Sequence, residues 1–173
     1  MTDDLHLRRK WTLHAHGRQV VFAKKAQESS EHVLMKALLW ALYLPQYPGL
    51  LVEVPVGDRY RPDLVALDEN GKPRFWAEAG QVGRQKIHTL ARRYRGTHFA
   101  IAKWDTGLDP FVTLVVEAVR GLQRSAPCDL IAFPPDAAER FIDADGHIHL
   151  GHADLDWVRL GQVGAGRVTG SPP

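Results

Sequence analysis

The sequence contains very little cysteine, and this scarcity excludes several classes of protein. Cys128 is the only cysteine among 173 residues. The chain therefore has no partner for an internal disulfide and too few thiols for a cysteine-based zinc site. Cys128 opens the apolar run CDLIAF, where the expected role is that of a buried strand thiol rather than a nucleophile.

Long apolar runs are also missing. The N-terminal segment MTDDLHLRRKW has no apolar signal core, and no stretch approaches the ~20 residues that span a membrane. A cytoplasmic protein without a membrane partner is therefore expected. Neither sign of charge dominates: 22 Lys and Arg against 20 Asp and Glu leave a net charge of +2, which permits a nucleic-acid partner without requiring one.

The order of predicted helices and strands indicates an α/β fold. In chain order we expect a small hairpin (11–25), a helix (30–44), a strand (50–56), a hairpin (61–80), a helix (83–94), a strand (97–104), a helix (109–122) and a strand (128–134). A hairpin followed by strand–helix–strand crossovers predicts a mixed central sheet flanked by helices. Residues 1–160 should form one domain, and 161–173 a flexible tail.

The hairpin segment RPDLVALDENGKPRFWAEAG (61–80) carries a carboxylate near each open end. Asn70-Gly71 is a strong signal for a two-residue turn. With the turn centred there, Asp63 faces Glu78. Like charges directly opposed on a sheet, about 5 Å apart at Cβ, destabilise it. A divalent cation between them would convert the repulsion into coordination.

This interpretation depends on the register of the hairpin. The same turn pairs Arg74 with Leu67, and a slip or bulge of one residue would move Glu78 to the other face. In the alternative interpretation, Asp63 and Glu78 are out of register and form salt bridges with Arg61 and Arg74.

Glu31 is a third acidic candidate, at the start of the first long helix. Leu34 and Leu38 follow it by three and seven residues, so Glu31 is expected on their inward-facing side, near the site. The alternative is a first-turn carboxylate that is favoured by the helix dipole or by a serine cap.

The segment GQVGRQKIHTLARRYRG (80–96) predicts a basic helix directly after Glu78. Its cations are Arg84, Lys86, Arg92, Arg93 and Arg95. Such charges bind the phosphates of nucleic acid, and this binding depends strongly on salt. The alternative is a solvated helix face, which the pattern favours for Arg92 and Arg93. Lys86 lies beside the apolar stripe and near the carboxylates, where a functional role is expected.

Together these motifs resemble the PD-(D/E)xK phosphodiesterases, the superfamily with the restriction-endonuclease-like fold. Pro62-Asp63 on one strand, Glu78 on the next and a helix on either side carry the resemblance. Within that superfamily the sequence is more similar to the YaeQ family. The matching segments are EHVLMKALLW (31–40), PDL (62–64) and FWAEAGQ (75–81).

The resemblance implies metal-assisted hydrolysis of a phosphodiester. Asp63 and Glu78 would hold Mg²⁺ or Mn²⁺, together with a backbone carbonyl near Ala79. Glu31 would add a ligand or hold a metal-bound water. Lys86 would orient the attacking water or offset the developing charge.

Two departures from the family pattern affect these roles. The superfamily lysine would fall at Gly80, which has no side chain, although the YaeQ pattern also lacks a lysine there. Lys86 in the following helix is the candidate replacement, and Gln81 would position the substrate or the lysine. Val82-Gly83 replaces the Pro-Asp that usually follows Gly-Gln in the closer family.

Two functions follow from these observations. The first is a metal-dependent nuclease acting on DNA or RNA, which the three carboxylates favour. The second is a degenerate member that does not cleave and instead binds nucleic acid or a protein partner, or forms a homodimer. The missing lysine at Gly80 favours this second function.

Overall fold

The computed structural model describes residues 2–161 and 168–169 of the chain. Its elements, in chain order, are α1 (Thr2–Leu7), β1 (Lys10–Ala15), β2 (Arg18–Ala23), α2 (Ser30–Tyr43), β3 (Leu51–Val52), β4 (Leu64–Leu67), β5 (Pro73–Ala79), α3 (Arg84–Arg93), β6 (His98–Trp104), α4 (Asp109–Val119), β7 (Cys128–Phe133), α5 (Ala137–Phe141), a short 3₁₀ helix (His152–Asp154), β8 (Asp156–Leu160) and β9 (Val168–Thr169). The predicted α/β fold with a mixed sheet flanked by helices is confirmed.

The sheet has seven strands in the order β3-β4-β5-β6-β7-β8-β9, and β1 and β2 form a separate hairpin. The β5–β6 and β6–β7 pairs are parallel, and the remaining pairs are antiparallel. Parallel neighbours require a crossover, which α3 and α4 supply. Because β7 is central, all six of its residues are buried, as the apolar run CDLIAF predicts.

The sheet separates two apolar cores. α2 and the β1–β2 hairpin pack on one face, around residues such as Leu38 and Phe75. α3 and α4 pack on the other face, around Trp76, Ile87 and Val115. Ser29 caps the start of α2, because its side chain accepts a hydrogen bond from the His32 N–H at 3.1 Å. Its side chains are apolar around most of its circumference, so the helix is almost entirely buried.

Two elements are shorter than predicted. The strand expected over 50–56 contains only Leu51–Val52. The next residue, Glu53, has a φ of 52°, which breaks the extended ladder. α4 ends at Val119 rather than at residue 122, shortly before Gly121 with a φ of 76°.

The turn of the β4–β5 hairpin is wider than the predicted two-residue turn. The Asp68 carboxylate accepts hydrogen bonds from the backbone N–H groups of Asn70 and Lys72, at 2.8 and 2.9 Å. The Gly71 N–H donates to the Asp68 carbonyl, and Gly71 takes a φ of 75°. The turn is therefore closed by an aspartate side chain that bonds to the backbone ahead of it.

A bulge follows from this turn. Leu67 pairs with Pro73 rather than with Arg74, so the pairing predicted for Arg74 is wrong. Arg74 is an extra residue on β5, and beyond it the predicted register returns, with Leu64 opposite Ala77. The shift at the turn therefore leaves the open end of the hairpin in the register that the sequence predicts.

Sequence analysis does not predict α1, β8 or β9. β8 and β9 extend the sheet by two antiparallel strands beyond β7. The predicted flexible tail, 161–173, lies outside the described residues except for Gly161 and β9. Among the described residues, no helix has the length and apolar character needed to cross a membrane.

Candidate functional site

Asp63 lies at the open end of the hairpin, immediately before β4. Its backbone N–H donates to the Ala77 carbonyl at 3.1 Å, and its carbonyl accepts from the Glu53 N–H at 2.9 Å. The Asp63 Oδ2 accepts from the Ala79 N–H at 2.8 Å. The Asp63 carboxylate thus accepts the hydrogen bond of the backbone N–H of Ala79, the last residue of β5. The shorter strand β4 does not extend far enough to offer a backbone carbonyl there.

The second oxygen of Asp63 faces α2. Its Oδ1 lies 3.4 Å from the His32 Nε2, which is also 3.4 Å from the Glu28 Oε1. The hydrogen bond with Asp63 raises the pKa of His32, against the opposing effect of burial. This imidazole therefore favours its charged form between two carboxylates.

A buried lysine lies one turn further along α2. The Lys36 side chain is only 1% exposed, and its ammonium contacts the carboxylates of Glu28 and Glu53, the latter at 2.9 Å. Burial opposes the charge, but the hydrogen bonds to Glu28 and Glu53 raise the pKa of Lys36. Lys25 reaches the same Glu53 oxygen at 2.9 Å from outside. A buried ammonium is stable here because carboxylates surround it.

These groups border a cavity of about 670 Å³ between α2 and the open end of the hairpin. We call it the Asp63 pocket and define it by Glu28, His32, Glu53, Asp63 and Gln81. A cavity of this size is in the range of small-ligand sites. Its lining combines carboxylates with an imidazole, which is suited to holding and moving protons.

Glu78 lies on the opposite face of the sheet, on the α3 side. Its Oε1 accepts from the Trp76 Nε1 and its Oε2 from the Lys86 Nζ, both at 2.8 Å. Glu78 is 6% exposed, and burial raises its pKa, against the effects of Lys86 and Trp76. Lys86 therefore lies at the carboxylate that sequence analysis assigned to it, although Glu78 does not line the Asp63 pocket.

The structure does not bring Glu31 to this pocket. The Glu31 Oε1 lies 3.7 Å from the His6 Nδ1, and its side chain is 44% exposed. Glu31 is one residue away from His32, about 100° around the helix, so it faces α1 while His32 faces Asp63. Glu28, three residues earlier and outside the helix, is the carboxylate that reaches the pocket.

Of the predicted metal ligands, Glu31 lies apart beside His6, whereas burial and the nearby charge of Asp63 both raise the pKa of Glu78. Among the described residues, no group of three or more His, Cys, Asp or Glu side chains is arranged to hold a metal ion. Lys86 forms an ion pair with Glu78, and the Ala79 N–H donates to the Asp63 carboxylate. Hard cations require several oxygen ligands, so a Mg²⁺ or Mn²⁺ site at Asp63 and Glu78 stays a prediction.

The predicted nucleic-acid-binding cations lie along α3. Arg84 and Arg92 are exposed, and Lys86 is half-buried against Glu78. Arg93 forms a salt bridge with Asp58 in the loop before β4. α3 begins beside the Asp63 pocket, where the exposed Gln81 lies, and ends at the opposite end of the sheet.

Sequence analysis did not identify His32, Lys36, Glu28 or Glu53 as site residues. A signal for three of them is present: His32 and Lys36 are four residues apart and share one face of α2, and Glu28 lies four residues before His32, just ahead of the helix. A lysine within the apolar run VLMKALLW also indicates a buried partner of opposite charge.

The fold resembles two solved structures. The crystal structure of the YaeQ protein from Pseudomonas syringae is 19% identical with a TM-score of 0.57, and the alignment covers 92% of this chain and 91% of that one. The crystal structure of the YaeQ protein from Xanthomonas axonopodis pv. citri is 14% identical with a TM-score of 0.58. That alignment covers 95% of this chain and 99% of the other. No protein-family model and no curated protein matches the sequence. The predicted similarity to YaeQ proteins is thus confirmed for the fold, and placement in the PD-(D/E)xK superfamily stays a prediction.

Proposed function

We propose that the protein binds the phosphate backbone of nucleic acid on a nuclease-like scaffold, without a preformed metal site. The observation that carries this proposal is the positive charge of α3. This helix has the sequence RQKIHTLARR, which contains four cations and no acidic residue, and Arg84 and Arg92 are exposed on it. A row of cations on one helix contacts phosphates independently of base sequence.

The charges at the Asp63 pocket, and at Glu78 outside it, also support binding rather than hydrolysis. Lysines of the protein neutralise Glu28, Glu53 and Glu78, in the place where a nuclease would use a cation from solution. With its carboxylates compensated, this end of the sheet repels phosphate less than three free carboxylates would.

The test is binding of fluorescently labelled oligonucleotides to the purified protein in EDTA, over a series of salt concentrations. We expect affinity to fall steeply as salt rises, and Arg84→Ala to reduce the slope by about one phosphate contact. Arg18→Ala, in the β1–β2 hairpin, is the matched control and should leave the slope unchanged. Absence of binding to DNA and RNA at low salt would contradict the proposal and favour a protein partner.

Metal-dependent hydrolysis is the second candidate function, and one contact favours it. The Lys86 Nζ lies 2.8 Å from the Glu78 Oε2, on the strand β5 that pairs with β4. This proximity is expected for an acid and a lysine that act on the same phosphodiester. In this function Asp63, Glu78, Lys86 and Gln81 are the catalytic residues.

Millimolar Mn²⁺ distinguishes the two functions. We expect the melting temperature of the wild-type protein to remain unchanged, because Lys86 already occupies the position beside Glu78. A cation that binds only the folded state would raise the melting temperature by mass action. A rise that disappears in both Asp63→Asn and Glu78→Gln, with cleavage that Lys86→Ala abolishes, would establish the second function.

A further inference from the structure

A second cavity, of about 690 Å³, opens at the far end of the sheet, beside the β4–β5 turn. It lies at the start of β5 and β6, whereas the Asp63 pocket lies at the end of β5. We call it the basic cleft and define it by its five cations: Lys72 and Arg74 from the hairpin, Arg93 and Arg95 from the end of α3 and beyond it, and Arg159 from β8. Three separate parts of the chain therefore direct cations to one cavity.

Arg159 is held in place at the cleft by a buried carboxylate. Asp129 is fully buried on β7, and its two oxygens accept from the Arg159 Nε and Nη2 at 2.7 and 2.9 Å. Burial alone would raise the pKa of Asp129, but the hydrogen bonds from Arg159 and His98 lower it, so the carboxylate stays ionised. A two-point contact of this kind fixes the guanidinium plane before any ligand arrives.

The same carboxylate organises the neighbouring wall of the cleft. The His98 Nε2 lies 2.7 Å from the Asp129 Oδ2, and the His98 Nδ1 lies 2.8 Å from the Tyr47 hydroxyl. Tyr47, His98 and Arg159 all line the cavity. The wall is therefore a connected hydrogen-bonded network, which restricts side-chain movement where a ligand would be received.

The net positive charge of the cleft comes from three of the cations. Asp58 and Asp129 neutralise Arg93 and Arg159, which leaves Lys72, Arg74 and Arg95. The Asp68 carboxylate also lines the cleft and offsets one of these three charges, because it interacts with Lys72 and Arg74 while its Oδ1 holds the hairpin turn through backbone N–H groups.

The bulge in the hairpin contributes directly to this charge. Arg74 is the extra residue on β5, and its guanidinium lies 5.7 Å from the centre of the Tyr47 ring, at the cleft. Lys72 stands at the exposed turn beside it. The wider turn therefore presents two cations next to the fixed Arg159.

We infer that the basic cleft is the principal binding site for the phosphodiester backbone of a nucleic-acid strand. Guanidinium groups match phosphate oxygens through paired N–H donors, and a cavity of this volume holds a ligand of nucleotide size. Positive side chains continue from Arg95 through Arg92 towards Arg84. Because α3 is about 15 Å long, these side chains can contact several successive phosphates of a strand rather than a single phosphate. The inference rests on the proposed function and locates its binding site.

The experiment compares cleft variants with variants at the other end of α3. Fluorescence anisotropy with a labelled single-stranded oligonucleotide of about 10 nucleotides is measured for wild type, for the double variant Arg74→Ala, Arg95→Ala and for Arg84→Ala. We expect the double variant to lose about tenfold or more in affinity and to reduce the salt slope by about two contacts. Arg84→Ala should reduce affinity less. Arg74→Lys keeps the charge and should bind nearly as well as wild type.

Each outcome has one meaning. If wild type binds and the double variant binds equally well, the cleft is not the site, while the proposed function stands. If wild type binds no oligonucleotide at low salt, both the assignment of the cleft and the proposed function are wrong. If inorganic phosphate displaces the oligonucleotide at equal concentration, the cleft recognises single phosphates and the strand proposal fails. Circular dichroism and melting temperature confirm that each variant is folded, and Arg95→Ala alone replaces the double variant if that one is not.

Discussion

At the residue scale, Lys36 is tightly constrained, because its ammonium is buried between carboxylates. We expect Lys36→Ala to lower the free energy of unfolding by about 3–5 kcal/mol, since it removes the buried ammonium that Glu28 and Glu53 share. Urea denaturation measures this. The double variant Lys36→Met, Glu28→Gln should recover part of the loss. A change below about 1 kcal/mol in Lys36→Ala would mean that water or Lys25 compensates the carboxylates.

His32 makes the stability depend on pH. Because Asp63 raises the pKa of His32 in the folded state, its contribution to stability is complete below the ordinary histidine pKa, about 6.5, and is lost as pH rises through the folded pKa. We expect the difference in melting temperature between wild type and His32→Gln to shrink between about pH 6 and pH 8. A difference that stays constant over this range would show that the pKa of His32 is the same in the folded and unfolded states.

At the scale of elements, the β4–β5 hairpin connects the two ends of the sheet. Its open end places Asp63 beside Ala79, and its turn and bulge place Lys72 and Arg74 at the basic cleft. One extra residue at Arg74 accommodates the wider turn without changing the register at Asp63. A single hairpin therefore supplies residues to both candidate sites.

The Asp68 carboxylate is the basis of a prediction for this element. It accepts hydrogen bonds from two backbone N–H groups within the turn, so Asp68→Ala should lower the melting temperature of the protein. It also removes a negative charge beside the basic cleft. We therefore expect weaker stability together with unchanged or higher affinity for an oligonucleotide. Asp68→Asn is the matched control, because it keeps one acceptor oxygen while removing the charge. A loss of affinity in Asp68→Asn would contradict the role of the cleft.

At the scale of the whole molecule, charge is distributed unevenly although the net charge is only +2. The Asp63 pocket contains three carboxylates compensated by lysines and an imidazole, and the basic cleft contains an excess of cations. α3 runs between these two ends. The small net charge therefore results from an uneven distribution of positive and negative side chains. Such a distribution produces an electrostatic field that guides a negatively charged chain to the basic end of the protein.

Much of the fold could be predicted from sequence, whereas the geometry of the site could not. The α2 cap at Ser29 and the order of helices and strands follow from patterns within short segments. The prediction that Glu31 lies near Asp63 required the Glu31 face of α2 to point towards Asp63, and in the structure the His32 face points there instead. That orientation is set by packing against the sheet and α1, and no local pattern contains it.

The sequence by itself determined the order of helices and strands from β1 to β7, the register near Asp63 and the proximity of Lys86 to Glu78. These depend on hydrophobic periodicity and on residues within one hairpin and its following helix. Only the tertiary structure decided that Glu28, rather than Glu31, reaches the pocket, and that Arg74, Arg95 and Arg159 surround one cleft. Those contacts join segments far apart in the chain, and their geometry depends on how the sheet and its helices pack as a whole.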